Sequence, residues 1–178
     1  EDRARALLEG TELDDARDPD RLDLLHRAFS ADPVLVQVPR GVLLADPVGV
    51  LDWVDVAGAA VFGHLVIEVG EDAEVAVVQW EGSDDVAALA VQRTDVSLAP
   101  AANLRLDVVQ DRGEQIWQFA RQGARVDRSA TFASTTAGIG GEYARLRTDC
   151  RLVGRGASGN LHAAYLGERA QTLDFRTF

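Results

Sequence analysis

The chain has 178 residues, 47% of them hydrophobic, which suits one cored domain or one domain with an appendage. Its 29 acidic residues outnumber 18 basic ones for a net charge of −11, which argues against nucleic acid and anionic membrane as partners, since both need a basic face. Every basic residue is Arg, so a Walker A lysine, a Schiff-base lysine and a pyridoxal site are excluded in the chain as given.

At the front, Asp18-Pro19-Asp20 followed by Leu22, Leu25 and Phe29 at helical spacing predicts a short amphipathic helix, with Asp as cap and Pro at the first helical position. Residues 1–17 are charged and read as a lead-in. Asp32-Pro33 ends the helix, and Val34-Leu-Val-Gln-Val38 opens a β region. The chain thus divides into a helical segment, 1–32, and a β core, 33–178.

Within the core, one pattern recurs: an apolar residue, three turn formers, an alanine, and then usually an alternating run. It occurs at Val69–Val75, Leu98–Leu104, Val126–Phe132 and Val153–Gly159, and its alanines (Ala73, Ala102, Ala130, Ala157) fall 29, 28 and 27 residues apart. A near-constant period of this size marks a solenoid. The runs Glu74–Trp80, Asn103–Val109, Ile116–Ala120 and Tyr143–Cys150 are short and rich in β-branched or aromatic residues, as strands are. Polar turns are expected at Glu81–Asp85, Asp111–Glu114, Gly138–Glu142 and Gly167–Arg169. Ala144, Leu146, Thr148, Cys150 and Leu152 alternate with Arg145, Arg147, Asp149 and Arg151, so one set faces a core and the other solvent or a partner. No helical period interrupts the region after Pro33, which disfavours βαβ units. An all-β parallel β-helix satisfies period, strands and turns together; a β-sandwich is the competing reading. Thr172–Phe178 reads as a strand cut off mid-sheet, and with no Met anywhere the sequence reads as a piece of a longer protein.

No self-contained catalytic apparatus emerges. His26, His64 and His162 are scattered: His26 reads as a surface residue of the helix and His64 as a satisfied core or edge group. Metal sites need three or four converging ligands, and no such set is legible. Cys150 falls on the inward register and reads as a buried thiol; one cysteine forbids an internal disulfide and fits a reducing compartment. Gly138-Ile-Gly140-Gly141 lacks phosphate-loop spacing and reads as a turn. Carboxylates abound, but none can be paired across rungs from sequence. Arg145, Arg147 and Arg151 form either a solvated strand face or an interface stripe. No catalytic, cofactor-binding or metal-binding residue is assigned. With no signal peptide and no apolar stretch of 18 residues, a soluble, cytoplasmic protein is expected.

Several strings resemble the SufB/SufD family of iron–sulfur cluster assembly proteins. They are Ala28–Gly41; Gly138-Ile-Gly-Gly141 with Tyr143-Ala-Arg145; Leu152–Ala157; and Tyr165-Leu-Gly167 with Gln171-Thr-Leu-Asp174-Phe-Arg-Thr177. The resemblance runs from about residue 20 to 178 and implies a right-handed parallel β-helix between helical flanks. SufB-like members carry Gln-Asn-Trp where this chain has Gln110-Asp111-Arg112, and Lys-Arg-Ala where it has Gln122-Gly123-Ala124. These departures make the chain resemble the SufD-like members, which pair with a SufB-like scaffold and SufC-type ATPase subunits. The implied function is that of a non-enzymatic scaffold subunit that binds no cofactor in this fragment, within a complex that handles an iron–sulfur cluster. The family's interface cysteine and histidine lie beyond Phe178. A polysaccharide-active β-helix enzyme and a purely structural solenoid are the rival readings. Self-association by edge pairing near residues 171–178 is expected.

Overall fold

The computed structural model describes residues 21–178. The cap assigned to Asp18, the proline at 19 and the lead-in over 1–17 lie outside the described residues. The helix α1 (Arg21–Phe29) precedes eleven strands: β1 (Val34–Val38), β2 (Val48–Val54), β3 (Ala60–Val69), β4 (Glu74–Ser83), β5 (Ala88–Leu98), β6 (Asn103–Asp111), β7 (Ile116–Val126), β8 (Thr131–Gly138), β9 (Tyr143–Leu152), β10 (Ser158–Tyr165) and β11 (Thr172–Thr177).

Successive strands alternate between two sheets. The odd-numbered strands form a six-stranded sheet in the order β1-β3-β5-β7-β9-β11, and the even-numbered ones a five-stranded sheet in the order β10-β8-β6-β4-β2. Every pairing is parallel. This is the parallel β-helix, each coil laying one strand on either wall. The period-two alternation sends one set of side chains inward, where the two walls close on a core containing Leu65, Ile67, Val77, Val96, Leu106 and Phe132.

The repeated turn forms the corner between β3 and β4, β5 and β6, β7 and β8, and β9 and β10. Ala73, Ala102 and Ala130 are fully buried and Ala157 packs partly against the same core. The residue before each alanine is left-handed: Asp72, Ala101, Ser129 and Gly156 all have φ between 57° and 76°. The amides of the first three continue the ladder into the next coil: Asp72 N–H to Pro100 O, Ala101 N–H to Arg128 O and Ser129 N–H to Arg155 O. A fifth copy precedes these four. Gly41 is also left-handed, its amide bonds Glu71 O, and Leu43 bridges Glu74, which puts Val42 in the alanine's place. In the last copy Leu152, not Val153, aligns with Val126, so Val153 is an extra residue in the turn.

The opposite corner, from the five-stranded to the six-stranded sheet, varies more. Gly138 aligns with Gln110, and Tyr143 with Trp117, so the connection there is two residues shorter than in the preceding coil. Gly140 lies in this corner, as expected of a turn. A Cβ on it would stand 2.3 Å from the backbone N and O of Arg112, so only glycine fits.

Candidate functional site

The interior is divided lengthwise. One half of each coil is aliphatic. Next to the variable corner, the same inward alternation places polar groups instead. From Val75 and Val77 it continues to Gln79 and Glu81; from Leu104, Leu106 and Val108 it continues to Gln110 and Arg112. The facing wall contributes Gln92, Thr94, Gln118 and Gln122, all buried. Glu81 and Arg112 were expected in turns. They are instead inside the coil: β4 runs on to Ser83, and the inward alternation of β6 carries one residue past its end at Asp111.

Buried polar groups must find partners, and these largely do. Gln118 Nε2 donates to Glu81 Oε2 at 2.5 Å, and Gln79 Nε2 donates to Glu81 Oε1 at 2.9 Å. Arg112, whose side chain is wholly enclosed, donates through Nη1 to the carbonyls of Gly82 and Asp52, and through Nε to Gln118 Oε1 at 3.3 Å. Its Nη2 lies 3.2 Å from Asp52 Oδ1. Gln110 clasps the Gly140 backbone, donating to its carbonyl at 3.0 Å and accepting from its amide at 3.3 Å. Gln122 donates to Ser134 Oγ at 3.0 Å. Burial pushes the Glu81 carboxyl above its ordinary range, against the pull of Arg112 and Gln118. The seam therefore ties neighbouring coils together through side chains as well as through the ladder. A small cavity of about 20 Å³, touched by Gln79, Glu81, Gln92 and Gln118, runs along it. The Gln92 amide nitrogen has no hydrogen-bond partner among the described residues.

A second polar cluster lies on the outer face of the six-stranded sheet, beneath α1. His64 Nε2 donates to Asp95 Oδ2 at 2.9 Å and Arg93 Nε to the same oxygen at 2.7 Å, all three being buried. Burial alone would raise the Asp95 carboxyl, but His64 and Arg93 together hold it below its ordinary value. His26 is a correction to the surface placement expected from its position in the helix. It is 3% exposed, donates from Nε2 to Gly63 O at 2.8 Å, and meets the His64 ring edge-on at 5.2 Å. The exposed face of α1 lies on its other side, because α1 turns His26 and Asp23 toward the sheet. His64 is the satisfied core group expected at Nε2, although its Nδ1 is buried without a partner among the described residues.

Cys150 points inward, as its alternation required, and is half-buried beside the core; burial raises its thiol. His162 is exposed on β10, far in sequence from the other two histidines. Arg145, Arg147 and Arg151 share the outward face of β9. Among the described residues, no group of three His, Cys, Asp or Glu side chains is placed to hold a metal ion. No described helix is long and apolar enough to cross a membrane.

Residues 53–178 match the SUF system FeS cluster assembly family, in its SufBD core domain. Two curated relatives, the "Iron-sulfur cluster assembly SufBD family protein" Rv1462 of Mycobacterium tuberculosis H37Rv and Mb1497 of Mycobacterium bovis, are each 26% identical over 153 residues. A third, ML0594 of Mycobacterium leprae, is 27% identical over the same length. Each match takes in 84% of this chain and 38% of the relative, so the chain spans well under half the length of these proteins. No solved structure gives a significant match.

Proposed function

Because the chain belongs to the SufBD family of iron–sulfur cluster assembly proteins, we propose that it is a SufD-like subunit of a cytoplasmic SUF scaffold complex. Its partners would be a SufB-like scaffold and SufC-type ATPase subunits. Its own role would be non-enzymatic, with the cluster as cargo of the assembly and no cofactor of its own.

The observation that carries this reading is what occupies the seam. Where SufB-like sequences have Gln-Asn-Trp and Lys-Arg-Ala, this chain has Gln110-Asp111-Arg112 and Gln122-Gly123-Ala124. Arg112 is engaged by Asp52, Gly82 and Gln118, Gln110 by Gly140, and Gln122 by Ser134. These positions serve the coil itself, which favours the supporting member of the pair over the cluster-holding one. A stack of coils, each fixed to its neighbours through ladder and side chains, suits transmission of an ATPase's motion to a distant interface.

Co-purification of the full-length protein tests the reading. Recovery of an ATPase together with a second β-helix protein supports it; a solitary protein that cleaves glycans overturns it. Among the described residues β11 pairs with β9 alone, which supports self-association of this fragment by edge pairing. Sedimentation at high concentration checks this, and a strict monomer would refute it.

A further inference from the structure

On the outer face of the six-stranded sheet, His64, Arg93, Arg121, Arg147 and Arg176 stand in one register column across β3, β5, β7, β9 and β11. Like charges directly opposite one another destabilise a sheet, and this column sits in a chain of net charge −11. Two strands meet the difficulty identically. Arg93-Thr94-Asp95 on β5 and Arg147-Thr148-Asp149 on β9 are the same tripeptide, each Arg bonded to the Asp two residues on, at 2.7 and 2.9 Å. On β11, Arg176 pairs with Asp174 at 2.8 Å.

The strand between the two tripeptides breaks the pattern. In β7 the acid's place is taken by Gly123, which aligns with Asp95 on one side and Asp149 on the other. Arg121 instead receives a carboxylate from α1: Asp23 Oδ2 lies 2.6 Å away, whereas Asp149 is at 3.6 Å. Beside it, Arg145 is half-buried and stands opposite Asp174 of β11, whose closer partner is Arg176. Between α1 and the sheet lies a cavity of about 40 Å³ lined by Arg93, Arg121, Arg145, Arg147, Asp23 and His26. That is room for roughly three waters or one small oxyanion. Four guanidinium groups line the cavity, and among the described residues the carboxylates beside them are those of Asp23, Asp95 and Asp149, with Asp174 opposite Arg145 on β11. All cations of this chain are Arg, so the choice of Arg over Lys carries no signal; their convergence on one cavity does.

We propose that this cleft is a binding site for a phosphate-class oxyanion, with Arg145 and Arg121 as its main ligands and Asp23 as an intramolecular competitor. Guanidinium groups from neighbouring strands can each give two N–H donors to a tetrahedral anion, which has more acceptors than one carboxylate. An anion on Arg121 displaces Asp23, so ligand binding and docking of α1 compete at one side chain.

Thermal unfolding of the full chain in inorganic phosphate, against potassium chloride at matched ionic strength, tests this. A saturable rise in Tm with phosphate is expected. Asp23→Asn should tighten the apparent affinity about tenfold, roughly one charge-assisted hydrogen bond released for the ligand. Arg145→Gln should abolish the rise, measured against that variant's own Tm without phosphate. A phosphate monoester that acts equally well identifies a phosphorylated metabolite as the ligand; a response to the free ion alone identifies phosphate. The proposal falls if neither wild type nor Asp23→Asn responds beyond chloride, if Arg145→Gln keeps the response, or if acetate matches phosphate.

Discussion

Gln118 of β7 reaches across the lumen to Glu81 of β4 and donates to its carboxylate at 2.5 Å, joining the two walls of the coil. An acid placed there is removed from water, so its neutral form is favoured in the folded chain.

The sign of that effect is testable. An acid whose folded pKa lies above its unfolded one costs stability as pH rises past the unfolded value of 4.5, by up to about 1.4 kcal/mol per pH unit until the folded carboxyl ionises. Glu81→Gln removes this cost. Urea denaturation from pH 4.5 upward should show the variant gaining on the wild type as pH increases. Parallel curves would show that Glu81 is ionised as easily inside as out.

Arg112 is enclosed and holds Asp52 and two carbonyls of other coils. Replacing it with Met leaves Asp52 and those carbonyls without their donor. A loss of about 3 kcal/mol is expected in chemical denaturation. A loss under about 1 kcal/mol would mean that water replaces the guanidinium without difficulty.

Two adjacent alanines should respond in opposite directions. Ala101 is left-handed at φ 59°, so Ala101→Gly relieves strain that outweighs the added freedom of the unfolded chain, raising stability by about 0.5 kcal/mol. Ala102 is fully buried in the stacked corner, and Ala102→Leu should cost about 1–3 kcal/mol by overpacking. Calorimetry on the pair checks both signs at once.

Docking of α1 should weaken in acid. Burial pushes His26 below its ordinary pKa, with His64 and Arg93 acting in the same direction and the Gly63 carbonyl and Asp95 opposing. The folded helix therefore holds a neutral imidazole. Its contribution is complete above pH 6.5 and declines as pH falls below that value. Hydrogen-exchange protection factors of residues 21–29, corrected for the intrinsic pH dependence of exchange, should fall between pH 7 and 5.5, and His26→Gln should flatten the change. Asp23–Arg121 and the stacked Phe29 and Phe62 rings, 5.3 Å apart, remain to hold the helix.

The coil was legible because its signals are local. Strand runs at Glu74, Asn103, Ile116 and Tyr143 begin where β4, β6, β7 and β9 begin, and the alanines of the turn stack as their spacing implied. The first coil escaped notice because Val42 stands in for the alanine. The polar seam escaped for a different reason. Gln79, Glu81, Gln110 and Arg112 keep the inward parity of the valines and leucines before them, yet they are polar, and Glu81 and Arg112 read as turn. Parity carried past the last apolar residue would have found them. His26 on Gly63 and Asp23 on Arg121 join residues 37 and 98 positions apart, and nothing in the helix alone announces either.

The two corners of the coil differ in how strictly they are built. At the alanine corner, each turn lies on its neighbour through its own amides, so an added residue must be absorbed in place, as Val153 is. The other corner changes length from coil to coil without shifting either wall. Residues 84–87 and 113–115, between the ends of the flanking strands, are thus where new sequence, such as a reporter peptide or a grafted loop, can be spliced into this protein while the columns on either side keep their alignment.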